Sequence, residues 1–289
     1  MHHVEITGLT IYPVKSMQGI ALESAILTSQ GLEHDRRFMV VRSDGRFVTQ
    51  RELHRLALIH TRLDKTGIEL STEGSDPVTI PISDTGGEPV QTKVWGDECE
   101  TLDQGDEISR WLTSALQSSD KLRLVRMAPG YVRPQGQPEN LGQETSTFFA
   151  DAAPFLVANE ASLEALNQEL ELRGHDPVPM NRFRPNIVVR GLEPFAEHRV
   201  AEISSADLRL KFCHPCQRCV VTTIDQDTAF KHPDWQPYKT LRDINPMPGN
   251  DRAPAFAQNA ILLGGENMAI SVGNMFSTKG GLGVTGKTP

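Results

Sequence analysis

Between Arg37 and Val94 no apolar pattern lasts long before Gly, Pro, Asp or Ser interrupts it. Such dense punctuation leaves no room for crossover helices, so the segment reads as antiparallel β structure rather than βαβ units. Upstream, Val4–Tyr12 alternates like a strand that Pro13 ends, which makes 13–19 a loop leaving a strand end. Arg37–Val41 is a second strand, turned at Ser43-Asp44-Gly45-Arg46 and continued by Phe47–Thr49. Leu56–Ile59, Ile68–Leu70, Val78–Ile82 and Val90–Val94 are further strand candidates. Helical spacing is confined to Ile108, Trp111, Leu112, Ala115 and Leu116, with Asp106 and Glu107 at the positive end, and to a helix from a cap at Asn159 to Leu172, ended by Arg173-Gly174. Strands are expected again at 122–125, 187–189, 208–212, 220–224, 260–263 and 269–273. The polar stretch 128–147 reads as a mobile rim, and 277–289 as a flexible tail. The fold class expected is mostly β with a few helices (α+β).

With 289 residues the chain can bury one large core or two modest ones. Its 37 acidic against 29 basic residues, a net charge of -8, repel nucleic-acid backbones, so no nucleic-acid partner is expected. The N-terminus lacks a signal-peptide layout, and no apolar run approaches the roughly 18 residues of a membrane helix. A cytoplasmic protein without membrane contact is the expectation. Against this acidic background six arginines (36, 37, 42, 46, 51, 55) fall between His34 and Arg55, and Lys121–Arg133 carries four bases and no acid.

Three of the four cysteines lie within Cys213-His214-Pro215-Cys216-Gln217-Arg218-Cys219, a density that suggests metal or redox chemistry in a reducing compartment. Several readings are open. A ferredoxin-type cluster would need Cys99 as fourth thiolate; zinc would need His214, whose side chain should diverge from that of Cys213 in a strand; Cys213 and Cys216 can equally be small buried hydrophobes. Cys219, beside Arg218 and before Val220-Val221-Thr222-Thr223, can direct one sulfur at a metal from a loop-to-strand junction. Lys15-Ser16 offers an ammonium, a hydroxyl and free N–H groups at a strand end, suited to a phosphate or pterin oxygen. In Asn181-Arg182-Phe183-Arg184-Pro185-Asn186, strand-like alternation would turn Arg182, Arg184 and Asn186 to one face for bidentate anion binding. Asp151, among small apolar residues, can cap a turn, accept hydrogen bonds from a cofactor ring or orient an arginine. No nucleophile elbow, zinc helix, Walker sequence or dinucleotide fingerprint occurs.

Ile11–Ser16, Asp35–Phe38, Val94-Trp95-Gly96, Phe149–Phe155, Asn181–Asn186, Cys216–Cys219 and Phe256–Asn259 occur together in an order that resembles the MOSC proteins, named for the C-terminal domain of molybdenum cofactor sulfurase. The resemblance runs from about Thr7 to Met275 and is nearest the branch of bacterial YcbX-type proteins and the mitochondrial amidoxime-reducing component. It implies a MOSC-type β-barrel that includes the first strand (1–33 and 123–276), with a smaller β-rich N-terminal module inserted at 34–122 and the tail at 277–289. It also implies a molybdenum cofactor (Mo-molybdopterin), with Cys219 as metal ligand and catalytic residue, Lys15, Ser16, Arg36, Arg184, Asn186 and Arg218 around phosphate and pterin, and Asp151 close by as a catalytic candidate. Cys216 matches the family's non-ligating cysteine, and Cys213 is an addition to the pattern.

The activity implied is reduction of N-hydroxylated compounds (amidoximes, hydroxylamines, N-hydroxylated bases) to amidines or amines, a detoxification chemistry independent of pyridoxal phosphate. The alternative is a cofactor-binding or sulfur-carrier protein using a Cys219 persulfide. Many bacterial relatives continue into a [2Fe-2S] domain with Cys-x4-Cys-x2-Cys spacing. That spacing does not occur between Gly280 and Pro289, so the expectation is either a separate electron donor (ferredoxin, flavoprotein or similar) or a sequence cut short of such a domain.

Overall fold

The computed structural model describes residues 2–82, 86–133 and 136–280. Seven strands close on themselves in the order Phe155–Asn159, Ile187–Arg190, His3–Ile11, Met275–Gly280, Val200–Ser205, Leu208–Gln217, Asn250–Gly264 and back to Phe155–Asn159. An odd ring cannot alternate direction throughout. The exception is the pair Phe155–Asn159 and Ile187–Arg190, which is parallel and is bridged by the helix Glu160–Leu172. That helix starts where expected, the Asn159 carboxamide oxygen accepting from the Ala161 N–H at 3.3 Å.

The first strand shows how sequence meets barrel. Val4 and Ile6 point inward, then Leu9 and Ile11 do, a change of phase that alternation alone forbids. A bulge between Ile6 and Gly8 in the pairing with Val188 and Val189 supplies the extra residue. These four side chains join Phe155, Val157, Ile187, Val189, Leu210 and Phe276 in one core. Each such buried side chain contributes about 1.5–3 kcal/mol.

The N-terminal module carries two sheets. Phe38–Arg42, Leu122–Met127, Asp97–Asp103 and Glu88–Val94 form one; His60–Leu63, Gly67–Thr72 and Ser75–Pro81 form the other. The helix Asp106–Ala115 buries Ile108 and Leu112 with Leu56, Ile68, Ile80 and Leu124 in a second core. Leu122–Met127, whose first residue ends the span 34–122, pairs along its length with Phe38–Arg42. Asp97–Asp103 was hidden by its acids: Glu98 and Glu100 face solvent, while Cys99, Thr101 and Asp103 turn inward.

Four expectations fail locally, in whole or in part. Leu56–Ile59 is not a strand but the end of a 3-10 turn, His54–Leu58. Val220–Ile224 is likewise a 3-10 turn, Val220–Thr223, because the Thr222 N–H and Thr222 hydroxyl both bond back to the Cys219 carbonyl. The stretch 128–147 is in part strapped down: Tyr131 donates to the Glu98 carbonyl, and buried Arg133 pairs with Asp97 and donates to the Ala150 carbonyl. Of the expected tail, Ser277–Gly280 lie in a barrel strand, and 281–289 fall outside the described residues. No described helix is long and apolar enough to cross a membrane.

Candidate active site

The loop leaving the first barrel strand and the segment 35–38 entering the module run side by side. Tyr12 N–H donates to Asp35 Oδ1 at 2.8 Å, Arg36 N–H to the Tyr12 carbonyl at 2.8 Å, and Lys15 N–H to the Phe38 carbonyl at 2.8 Å. This lacing sets Lys15 and Arg36 at the junction of barrel and module. Lys15 is buried; its Nζ donates to the Phe149 carbonyl at 2.7 Å and forms an ion pair with Asp151. Burial pulls the Lys15 ammonium below its ordinary value, and Asp151 offsets this only in part. Burial would raise the Asp151 carboxyl, but Lys15 chiefly, with Arg51 and Arg36, holds it well below the usual carboxylate range. The Asp151 side chain is nevertheless 57% exposed.

Arg36 donates to Asp35 Oδ2 at 2.5 Å, to Asn186 Oδ1 at 3.1 Å and to the Arg184 carbonyl at 3.2 Å. Its guanidinium and that of Arg184 both lie over the Tyr12 ring, at 4.6 and 4.2 Å. Burial pulls Arg184 down to about 10, so it stays charged at neutral pH. Burial also pushes Tyr12 up to about 12; its hydroxyl donates to the Pro185 carbonyl at 3.2 Å. Gly19 permits this packing, since a β-carbon there would come within 2.6 Å of the Tyr12 ring. A cleft of about 280 Å³ opens beside Tyr12, Gln18, Asn181 and Arg184. A larger groove, about 730 Å³, lies on the module between Arg42, Asp103, Asp106 and Arg123 and contains none of these residues. Arg123 there pairs with Asp103 and Asp106, and Arg42 with Asp120.

The strand-like alternation expected for 181–186 is overturned. Met180–Phe183 is a 3-10 turn and Arg184 is left-handed, φ 54°, so the three side chains part company. Arg184 enters the cleft, and Arg182 goes under the cysteine turn to Asp225 Oδ2 and the Thr222 carbonyl, at 2.8 and 3.3 Å. Asn186 is buried as a tie, taking the Leu156 N–H on its oxygen and giving its amide to the Thr10 carbonyl.

Cys219 stands where the long strand Leu208–Gln217 ends and the 3-10 turn begins. Arg218 before it donates to Cys216 Sγ at 2.9 Å and to the Phe183 carbonyl at 2.9 Å, while its Nε is buried without a partner. Among the described residues no group of three or more His, Cys, Asp or Glu side chains could hold a metal ion. The four-cysteine and zinc arrangements therefore do not form, and Cys99 is buried in a different core with Met39, Val94 and Phe149.

Two site residues were missed in sequence. Arg51 donates to Cys219 Sγ at 3.1 Å, and its guanidinium lies 4.8 Å from the Trp95 ring centroid. Trp95 in turn donates its indole N–H to Asp151 Oδ1 at 3.3 Å. The arginine block 36–55 was the only signal for Arg51. Thus Cys219, Arg51, Trp95, Asp151, Lys15, Arg36 and Arg184 form one connected constellation, with Arg218 adjoining it through the backbone. Ser16 stands beside Lys15 at φ 70°, its carbonyl accepting from Gln50. Ser16, Arg36, Trp95 and Arg184 are all left-handed, a strain of order 1 kcal/mol each that typically collects at functional sites.

Residues 3–119 match the MOSC N-terminal beta barrel domain and residues 144–260 match the MOSC domain. The chain belongs to the MOSC family. Mitochondrial amidoxime-reducing component 1 of Mus musculus is 33% identical over 266 residues, covering 88% of this chain and 76% of that protein. The Homo sapiens protein of the same name is 33% identical over 271 residues, covering 89% and 78%. Molybdenum cofactor sulfurase of Bos taurus is 31% identical over 249 residues, covering 79% of this chain and 28% of that protein. The first match runs from the first barrel strand through the module, the second covers most of the remaining barrel strands, and the constellation draws on both.

Whether these residues suit an anionic pterin cofactor can be judged from charge. Arg36 and Lys15 have carboxylate partners, but among the described residues none pairs with Arg51, Arg184 or Arg218. Three half-buried guanidiniums without an ion-pair partner, one with an orphaned Nε, are costly unless an anion completes them. The donor set fits a phosphate-bearing ring with a soft metal near Cys219.

Proposed function

We propose that this MOSC protein is a molybdenum-cofactor-dependent reductase of N-hydroxylated compounds. The observation that carries the reading is the Cys219 sulfur, which accepts from Arg51 and follows Arg218, two guanidiniums that, like that of Arg184, make no ion pair among the described residues. Similarity to amidoxime-reducing components over three quarters of their length supports the same choice. When bound, the cofactor supplies a two-electron centre that can take oxygen from an N–O bond.

The protein's part follows from its own groups. Lys15, Ser16, Arg36 and Arg184 hold phosphate and pterin oxygens by charge-assisted hydrogen bonds, and Asn186 keeps Arg36 aimed by accepting from it. Cys219 is the one protein ligand to molybdenum. Arg51 donates to that sulfur and Arg218, anchored on Phe183, fixes the turn behind it. Asp151, ionised and shared between Lys15 and Trp95, acts as a positioning residue rather than a proton donor. Electrons come from a separate donor protein.

The test is protein made in cells that synthesise the cofactor, assayed for molybdenum and pterin and for benzamidoxime reduction with an artificial electron donor. Cys219→Ala abolishes turnover and leaves the circular dichroism spectrum unchanged, since no core side chain rests on that sulfur. Wild-type turnover by the variant would overturn the reading. Releasable sulfane sulfur on Cys219 without molybdenum would favour the persulfide carrier instead.

A further inference from the structure

Trp95 brings no charge to a cofactor, yet its exposed ring is held on several sides. It sits at the turn between Glu88–Val94 and Asp97–Asp103, left-handed at φ 54°. Three contacts fix its ring: the Arg51 guanidinium at 4.8 Å, Phe47 edge-on at 5.1 Å and 65°, and the indole N–H bond to Asp151. With all of these made, 47% of the residue is still open to solvent. An aromatic held at this cost in backbone strain and left uncovered is a prepared surface. Its position gives the surface a purpose, because the guanidinium over the ring is the one that donates to Cys219 Sγ.

From this we infer that Trp95 is the stacking wall for the substrate, and that it selects planar conjugated N-hydroxylated compounds, such as aryl amidoximes and N-hydroxylated bases, over aliphatic ones. The inference rests on the reductase reading and adds the substrate class. A flat π system laid on the indole gains dispersion and offset stacking that an aliphatic amidoxime cannot match, and Arg51 beside it offers a donor to the N–O oxygen. The module, through Phe47, Arg51 and Trp95, thereby sets selectivity, while the barrel holds the sulfur and most of the anion donors.

The experiment compares wild type with Trp95→Leu and Trp95→Phe, using benzamidoxime and acetamidoxime. Trp95→Leu lowers the ratio of kcat/KM for the aryl over the alkyl substrate about five- to tenfold, through KM, and Trp95→Phe recovers most of it. Molybdenum and pterin content per protein match wild type in both variants. Independently of turnover, benzamidoxime quenches tryptophan fluorescence of the cofactor-free protein, and Trp95→Phe removes the quench while Trp111 and Trp235 remain as internal controls. An unchanged ratio overturns the proposal. Loss of bound pterin in Trp95→Leu also overturns it, by assigning the indole to the cofactor. If the loaded wild type reduces neither substrate, the reductase reading fails, and the quench alone then decides whether Trp95 binds flat ligands.

Discussion

The cationic cleft and the network around Glu197 are both polar regions at the edge of the same barrel, but they close their hydrogen bonds in opposite ways. Glu197 is fully buried and takes the Ser162 hydroxyl at 2.8 and 2.9 Å and the Asn159 amide at 3.3 Å. Ser162 Oγ accepts the Phe195 N–H, and neighbouring His198 is held between Gln258 Oε1 and the Asn245 amide, at 2.9 and 3.0 Å. Every partner there comes from the chain itself. Around Cys219 and Tyr12, Arg51, Arg184 and Arg218 find carbonyls, sulfurs and ring faces but make no ion pair. A buried polar group completed from within serves the fold, whereas one left to be completed from outside marks where a ligand belongs.

The comparison breaks most sharply under truncation. Glu197→Ala strands Ser162 and Asn159 in a dry site and leaves a hole, and should lower unfolding free energy by about 3 kcal/mol in a denaturant titration. Arg184→Met removes a charge that already repels Arg36, and the lost contact over Tyr12 is offset by that relief. Stability of the cofactor-free protein should shift by no more than about 0.5 kcal/mol. Bound pterin and molybdenum should fall about tenfold or more, since one charge-assisted anion contact is gone. If Arg184→Met unfolded the protein as badly as Glu197→Ala, the division between the two regions would be void.

How each region showed itself in sequence follows from the same difference. Alternation exposed the first strand, and the cap at Asn159 exposed the helix that carries Ser162, because local patterning and local hydrogen bonds write themselves into neighbouring residues. The cleft is assembled from positions 15, 36, 51, 95, 151, 184 and 219, which no periodicity links; the family resemblance named most of them, and Arg51 remained one arginine in a block of six. Left-handed turns at Ser16, Arg36, Trp95 and Arg184 also defeat side-chain counting, as the failed alternation over Arg182, Arg184 and Asn186 shows. Nor could Val220–Thr223, β-branched at every position, be read as a 3-10 turn, since its geometry comes from bonds back to the Cys219 carbonyl.

A finer probe keeps the shape of the Glu197 network and changes only its proton. Burial pushes the Glu197 carboxyl above its ordinary value, with His198 opposing, so the folded state holds a proton that the unfolded chain has already released. In that interval the folded form binds more protons, and unfolding free energy falls as pH rises, starting near the unfolded glutamate value of about 4.3 and ending at the raised folded value. The slope for one proton cannot exceed about 1.4 kcal/mol per pH unit. Glu197→Gln keeps an oxygen to accept from the Ser162 hydroxyl and the Asn159 amide without any proton to lose, so its stability should be flatter across that interval than wild type. Parallel pH profiles for the two would mean that Glu197 is ionised in the fold, and that the network, like the cleft, holds a charge without a full partner.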